Sequence, residues 1–198
     1  MIILQSDKQD WRTPGYVYRP LAREFDLDTD VCATWLTAKC PEFFVPPWHY
    51  PCGPVTHEVM VGANGLAQSW RGRRCWMNPP YTPRGPFRQA RWLAKARDEA
   101  HRHRVLTVGL VPSRTGAQHW ADSVWSGARE VRFVQGRIVF EEVPWTGEYV
   151  RLRGHWGLHP VPGPARKLAN ATFDAAVIVW HGHHKGLPKV TTWRPQRQ

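Results

Sequence analysis

The chain has 198 residues and 42% hydrophobic content, which fits one domain with a sizeable core. It carries 27 Lys and Arg against 16 Asp and Glu, a net charge of +11 that predicts a polyanionic partner such as nucleic acid. A long apolar run and a charged-then-apolar leader are both missing, so we expect a cytoplasmic protein without a membrane span.

The stretch from residue 41 to residue 63 mixes prolines with isolated cysteine and histidine residues. It has no sustained period, so we predict an irregular insertion. Cys40, His49, Cys52 and His57 lie near one another in the chain. They lack the close C-x2-4-C or H-x3-5-H pairs of structural zinc sites, and we therefore predict no metal.

Residues 74–77 (R-C-W-M) predict a short buried strand, and the rigid loop Asn78-Pro79-Pro80-Tyr81 follows it. Each proline has a nearly fixed φ and keeps the residue before it out of the α region. Open α/β sheets bind ligands at the carboxyl ends of their strands, where this loop is expected to lie. A Pro-Pro turn that merely closes a surface loop is the alternative interpretation.

The loop has the groups needed for methyl transfer to a planar amine. The Asn78 amide oxygen and the Pro79 carbonyl would accept from the two N–H bonds of a nucleobase amine. Such acceptors would stabilise the positive charge that develops on nitrogen as it attacks, and Tyr81 would stack on the base.

After the loop, apolar residues recur at helical spacing from residue 87 to residue 100, with basic residues on the other face. Residues 105–111 then predict a central parallel strand. Residues 131–134 and 138–140 indicate a hairpin or a strand-turn-strand unit. Four arginines flank these elements and are candidates for contacting the substrate: Arg84, Arg88, Arg114 and Arg137. A structural salt bridge is an equally open role for Arg114.

The region after residue 140 divides into three parts. Residues 141–169 mix Pro, Gly and Trp without a period and are predicted to form a long loop. Residues 175–180 predict another buried strand, and residues 181–198 are polar and basic, as expected of a flexible tail. We therefore predict one domain over residues 1–180, with insertions at about 41–63 and 141–169, followed by the tail.

Several short segments form an ordered pattern along the chain. They are W-R-T-P at 11–14, F-D-L-D-T-D-V-C-A-T at 25–34, A-K-C at 38–40, G-L-A-Q-S-W at 65–70, W-M-N-P-P-Y at 76–81, L-V-P-S-R-T at 110–115 and G-R-I-V-F at 136–140. In this order they resemble the phage-type DNA adenine-N6 methyltransferases, a Dam-like family. The resemblance spans about residues 10 to 180 and implies a Rossmann-like class I methyltransferase, with a mostly parallel central sheet and flanking helices.

The resemblance also implies S-adenosylmethionine as cofactor. It assigns Thr13 and Pro14, with Trp11 beside them, to the methionine end of the cofactor, and Asp30 to its amino group. Asp28 competes for that role but is expected to be an alternating strand residue. Further cofactor-binding candidates are Cys32, Ala33 and Asn64. The family usually has an acidic residue where this chain has Asn64, whose amide oxygen accepts a hydrogen bond without charge assistance.

The function implied is site-specific adenine-N6 methylation of double-stranded DNA, in a bacterial or phage-infected cytoplasm. The target adenine would leave the duplex and attack the methyl carbon directly, without a covalent enzyme intermediate. Methylation of cytosine N4, of RNA or of protein glutamine presents a similar planar amine and stays an alternative. A catalytically inactive basic DNA-binding protein with the same fold is another. The sequence indicates no obligate protein partner.

Overall fold

The computed structural model describes residues 11–34, 36–45, 60–81, 85–86, 88–150 and 159–196. The helices are α1 (Gly15–Phe25), α2 (Gln89–His103) and α3 (Gln118–Trp120), the last of which continues as a π-helical turn, Ala121–Trp125. The strands are β1 (Thr29–Asp30), β2 (Glu42–Val45), β3 (Met60–Ala63), β4 (Arg74–Met77), β5 (Leu106–Pro112), β6 (Glu130–Val134), β7 (Val139–Glu142), β8 (Trp145–Val150), β9 (His159–Pro162), β10 (Arg166–Asn170), β11 (Ala175–His181) and β12 (Lys189–Trp193).

One eight-stranded sheet, in the order β12-β6-β11-β5-β4-β1-β2-β3, organises the molecule. Strand β11 runs antiparallel to its neighbours β5 and β6, and all other neighbouring pairs are parallel. The prediction of an α/β fold with a mostly parallel central sheet is confirmed. The strands expected at 74–77, 105–111 and 175–180 are β4, β5 and β11.

The sheet is covered on both faces, so its central strands are apolar on both sides. Met77 of β4 packs in one core with Leu93 of α2, and the neighbouring Trp76 points into the other core with Leu21 of α1. This alternation follows from the period of two along a strand. Helix α2 therefore lies on one face of the sheet and α1 on the other.

The predicted insertion at 41–63 is smaller than expected, because both of its flanks belong to the central sheet. Strand β2 pairs with β1, and β3 pairs with β2 at the edge. The short strands lack the period of two over enough residues to be recognised from sequence. Residues 46–59, which include His49, Cys52 and His57, lie outside the described residues.

Three other expectations differ from the structure. The region 141–169 contains β8, β9 and most of β10 instead of a long loop, and these strands pair in two small antiparallel sheets, β8 with β9 and β10 with β7. Of the two alternatives for residues 131–134 and 138–140, the strand-turn-strand unit is confirmed and the hairpin is wrong, since β6 lies between β11 and β12 and does not pair with β7. Part of the expected flexible tail forms β12, whose pairing with β6 extends the sheet.

The direction of the strands determines where a site can form. Strands β1, β4, β5 and β6 are parallel, so their carboxyl ends meet at one edge of the sheet. The Asn78–Tyr81 loop leaves β4 at that edge. In the part of the chain that the structure describes, no helix is long and apolar enough to cross a membrane.

Candidate functional site

The ends of the adjacent strands β1 and β4 bring the first predicted site residues together. Val31 donates its backbone N–H to the carbonyl of Trp76 at 3.0 Å. One residue after Val31 and two after Trp76, the backbone N–H of Asn78 donates to the Cys32 thiol, which burial keeps protonated by raising its pKa. The turn predicted to hold a cofactor and the loop predicted to hold a base are thus in direct contact.

Both ends of the Asn78 side chain are hydrogen-bonded. Its Nδ2 donates to the Trp11 carbonyl at 3.0 Å, and its Oδ1 accepts from the Tyr81 hydroxyl at 2.5 Å. Burial raises the pKa of Tyr81, so its hydroxyl remains a donor. The amide plane of Asn78 is therefore fixed, and the oxygen predicted to accept from a substrate amine faces a hydroxyl donor.

Aromatic rings pack against one another beside this amide, and we call the group formed by Trp11, Asn78, Tyr81, Phe140 and Phe173 the reaction pocket. The Tyr81 ring meets Trp11 and Phe173 edge to face, with centroid distances of 6.0 and 5.2 Å. The Trp11 and Phe173 rings stack at 5.8 Å with an interplanar angle of 10°. Such a pocket provides flat apolar surface against which a planar base can pack.

Two members of the pocket did not stand out in the sequence. Phe140 ends the G-R-I-V-F segment, and that motif could have identified it as a site residue. Phe173 precedes β11 in a segment without a motif, and only the fold brings it to Tyr81. Trp11 was predicted at the cofactor, whereas its ring lies in the reaction pocket and its carbonyl holds Asn78.

Asp30 lies at the end of β1 and is only 3% exposed. Its two carboxylate oxygens accept the backbone N–H groups of Cys32 at 3.3 Å and Lys39 at 3.2 Å. Burial raises the pKa of Asp30 to about 7, although these two hydrogen bonds oppose the change. A buried carboxylate with this pKa is suited to pairing with a cationic ligand.

Asp28 has a different environment. Both of its oxygens accept from the backbone N–H of Arg74, at 3.1 and 3.2 Å, and one also accepts from the Thr29 hydroxyl. These bonds join β1 to the beginning of β4, at the amino edge of the sheet. The geometry therefore favours Asp30 over Asp28 as the ligand-binding carboxylate.

Several buried polar atoms at the carboxyl edge have no hydrogen-bond partner within the described structure. They are Arg12 Nε, Thr13 Oγ1 and Asn64 Oδ1. Asn64 has a φ of 60°, which turns the chain after β3. The next residue, Gly65, passes so close to β1 that a Cβ would lie 2.1 Å from the Val31 carbonyl oxygen. Unpaired buried polar groups are costly, and at the edge of the sheet where ligands bind these atoms are candidates for contacting a ligand.

The remaining predicted residues occupy varied positions. Pro14 is buried immediately before α1, and the Ala33 backbone N–H donates to the carbonyl of Phe44. Arg88 and Arg114 are exposed, and Arg137 donates to the Ala171 carbonyl at 2.9 Å. Arg84 lies outside the described residues. Pro79 is buried and Pro80 partly buried between Asn78 and Tyr81.

Comparison with known proteins gives two matches. Residues 2–192 match the model of a protein family described as DNA N-6-adenine-methyltransferase (Dam). A DNA N-6-adenine-methyltransferase of Haemophilus phage HP1 (strain HP1c1) is 30% identical over 139 residues, covering 69% of this chain and 68% of the relative. The family match includes the whole of the site described above.

Proposed function

The chain belongs to the DNA N-6-adenine-methyltransferase (Dam) family, and we propose that it transfers a methyl group from S-adenosylmethionine to an adenine flipped out of double-stranded DNA. As a family member it is an enzyme that methylates DNA at adenine N6. The observation that carries the finer proposal is the fixed amide of Asn78, in contact with the cofactor-side turn at Cys32.

The proposed fold is the Rossmann-like class I methyltransferase fold. Its support is the order β3-β2-β1-β4-β5-β11-β6, in which only β11 is reversed. The strand order changes direction at β1 and β4, which are adjacent although β2 and β3 intervene in the chain. Ligands bind in open α/β sheets at such a switch point, outside the carboxyl ends of the strands.

The residues at this switch point fit S-adenosylmethionine, which when bound supplies an electrophilic methyl group. We propose that Asp30 pairs with its ammonium group, because the carboxylate is buried and has no ion-pair partner among the described residues. Thr13 Oγ1 would bind the methionine end, and Asn64 Oδ1 would accept from the adenosyl group. Gly65 would let the backbone approach the ligand closely.

The proposed reaction uses the reaction pocket to orient the target amine. Asn78 Oδ1 and the Pro79 carbonyl would accept the two N–H bonds, favouring the pyramidal form of nitrogen and stabilising its developing charge. The methyl carbon would pass to the nitrogen as its bond to the sulfonium sulfur breaks and the sulfur leaves as a neutral thioether, and the nitrogen would lose a proton to water. Since the Tyr81 hydroxyl already donates to Asn78 Oδ1, an entering adenine would share that oxygen with the hydroxyl or replace its bond.

The basic surface supports the proposed duplex partner. Arg88 and Arg114 are exposed near the carboxyl edge, where contacts with phosphates would hold the DNA over the pocket. Flipping a base costs a few kcal/mol, and stacking on an aromatic ring offsets roughly 1–3 kcal/mol of that cost. Phosphate contacts predict binding that weakens steeply with added salt.

The deciding experiment identifies the methylated nucleoside. The purified protein is incubated with unmethylated double-stranded DNA and S-adenosylmethionine labelled in its methyl group, and the DNA is digested to nucleosides. We expect the label in N6-methyl-2′-deoxyadenosine from duplex DNA and little transfer to RNA. Label in N4-methyl-2′-deoxycytidine would overturn the assignment of the target. Absence of both transfer and cofactor binding would overturn the enzymatic role and favour a DNA-binding protein.

A further inference from the structure

The first turn of α2 contains a buried glutamine that the proposed function does not use. Gln89 is 2% exposed, yet neither Nε2 nor Oε1 has a hydrogen-bond partner in the described structure. It occupies a position on the buried stripe of the helix, formed by Gln89, Trp92, Leu93, Ala96, Glu99 and Ala100. An apolar residue is expected at such a position, because an unpaired buried amide destabilises the fold.

Glu99, near the other end of this stripe, shows the contrast. It is 4% exposed, and its carboxylate accepts from the backbone N–H of Trp70 at 3.1 Å and pairs with Lys95 at 2.6 Å. The fold therefore satisfies the carboxylate near one end of the stripe, whereas the Gln89 amide and the nearby Trp92 indole N–H have no partner among the described residues. A ligand beside the first turn of α2 would satisfy the Gln89 amide.

Chain geometry places Gln89 at the edge of the sheet that holds the site. Helix α2 ends at His103 and β5 begins at Leu106, so the end of α2 lies at the amino edge. A helix of 15 residues is about 22 Å long, similar to a seven-residue strand such as β5. The first turn of α2 consequently lies level with the carboxyl end of β5.

A chain of contacts connects the stripe to Asn64. One turn after Gln89, the Trp92 ring stacks on Trp70 at 6.5 Å. The Trp70 indole N–H donates to the carbonyl of Gly65 at 2.8 Å, directly after Asn64. Trp70 thus links the stripe to the turn whose own amide oxygen, Asn64 Oδ1, is buried and unpaired.

We propose that Gln89 is a binding residue for the purine edge of the cofactor's adenosyl group, opposite Asn64. A glutamine amide matches adenine, because Oε1 accepts from the exocyclic amine while Nε2 donates to an adjacent ring nitrogen. The inference rests on the proposed function, in which Asn78 and Pro79 already take both N–H bonds of the target adenine. The adenine that retains free N–H groups is the one in the cofactor.

The first test measures the affinity for S-adenosylhomocysteine by calorimetry. Gln89→Met keeps the approximate length of the side chain, and Gln89→Leu is the second variant. We expect each to bind about 10- to 100-fold more weakly than the unmodified protein, because two hydrogen bonds are lost. We also expect both to unfold at the same or a higher temperature, since each removes an unpaired buried amide.

Thr107→Val is the matched control. Thr107 is fully buried, its hydroxyl has no partner among the described residues, and it lies in the middle of the sheet opposite Cys75. This variant removes a buried unpaired polar atom away from the proposed ligand, so S-adenosylhomocysteine affinity should stay unchanged. Equal loss in the Thr107 and Gln89 variants would overturn the proposal.

The second test replaces the ligand with the purine-riboside analogue of S-adenosylhomocysteine, whose base has a hydrogen atom in place of the 6-amine and so offers nothing for Gln89 Oε1 to accept. The unmodified protein should prefer the adenine form, and the Gln89 variants should lose most of that preference. A merely structural glutamine would change both affinities by the same factor, which would overturn the proposal. So would equal binding of the two ligands by the unmodified protein, a result that requires no variant.

The outcomes separate this inference from the proposed function. If the unmodified protein binds no S-adenosylhomocysteine, the proposed cofactor is wrong and this inference falls with it. If it binds normally and the Gln89 variants bind equally well, only this inference fails. A raised KM for DNA with unchanged cofactor affinity would assign Gln89 to the target base and overturn the cofactor assignment.

Discussion

The two halves of the candidate site differ in how their buried polar groups are satisfied. In the reaction pocket, the Asn78 side chain bonds to the Trp11 carbonyl and to the Tyr81 hydroxyl. We call the other half, made of Thr13, Asp30, Asn64 and Gln89, the donor side; three of its side chains have buried atoms without partners in the described structure. In the proposed function a target base therefore meets an acceptor that already has a donor, whereas a methyl donor meets polar groups without partners.

This difference predicts opposite effects of substitution. Each unpaired buried polar group costs roughly 1–3 kcal/mol of stability. Removing one from the donor side should therefore stabilise the free protein and lower its affinity for the ligand. Removing a paired group from the reaction pocket leaves its partner unsatisfied and lowers stability. Substitutions in the reaction pocket should therefore lower turnover, and substitutions on the donor side should lower cofactor affinity.

The largest effect is expected for Asn78→Ala. The variant removes the side-chain acceptor for the target amine, and loss of one such stabilising group costs about 100- to 1,000-fold in turnover. DNA affinity and S-adenosylhomocysteine affinity should both stay within about threefold, since phosphates and donor-side residues supply them. Rates of labelled methyl transfer, with fluorescence anisotropy for DNA, measure these quantities.

Asn78→Asp is the control, because a carboxylate retains an acceptor oxygen at the same position. It should recover part of the activity lost in the alanine variant. An alanine variant with the normal rate would contradict the role of Asn78. A variant that lost cofactor affinity and kept its turnover number would show that the two halves are not separate.

A pair of substitutions at Tyr81 is expected to give the next largest effect. Tyr81→Ala removes the ring, and loss of base stacking should lower kcat/KM for DNA by about 10- to 100-fold. Tyr81→Phe keeps the ring and removes the hydroxyl that occupies Asn78 Oδ1. Its kcat/KM should equal or exceed that of the unmodified protein, since the entering base no longer displaces a bond.

Steady-state kinetics on one duplex substrate compare the two Tyr81 variants. If Tyr81→Phe were as impaired as Tyr81→Ala, the hydroxyl would contribute to catalysis, and the bond to Asn78 would not be one that the substrate replaces. Thermal unfolding serves as the control, because the phenylalanine variant leaves the buried Asn78 oxygen unpaired and should be slightly less stable.

The position of the Asn78 loop after a buried strand was readable from the sequence, and the turn at Asp30 came from the resemblance. The structure shows the ends of these two strands side by side, at one edge of a parallel sheet. The strands β2 and β3 were missed because four residues are too few to show a period beside a proline-rich stretch.

Residues without a motif were recognised only in the fold. Phe173 reaches Tyr81 because β11 is inserted between β5 and β6, an arrangement that no local pattern specifies. Gln89 occupies a position on its helix where an apolar residue is expected. The sequence alone does not distinguish it from a glutamine on the surface. Its unsatisfied amide is visible only when burial and partners are known together.

The smallest expected effect concerns the pH dependence of cofactor binding through Asp30. Its pKa is raised to about 7 by burial, so below pH 7 the carboxyl of the free protein is mostly neutral. Binding an ammonium group there must release the proton. Affinity for S-adenosylhomocysteine should therefore fall about tenfold for each pH unit below about 7, and level off just above it.

The raised pKa of Asp30 also makes the stability of the free protein depend on pH. The folded value is above the unfolded value of about 3.9, so the free protein binds more protons than the unfolded chain between these limits. Asp30 alone should make the free protein less stable as pH rises from about 4 to about 7, and the bound cofactor should reverse that trend. Thermal unfolding with and without ligand measures both slopes.

Calorimetry in buffers of different ionisation enthalpy counts the protons released on binding. Asp30→Asn should bind weakly with a flat pH profile over the same interval. Asp28→Asn is the matched control. Among the described residues, the Asp28 oxygens accept hydrogen bonds from Thr29 and Arg74, which join two strands away from the proposed ligand. This variant should lower stability without changing the slope of affinity against pH. If the affinity of the unmodified protein for S-adenosylhomocysteine did not change with pH, Asp30 would not pair with the ammonium group. The donor side would then lack the charged contact that distinguishes it from the reaction pocket.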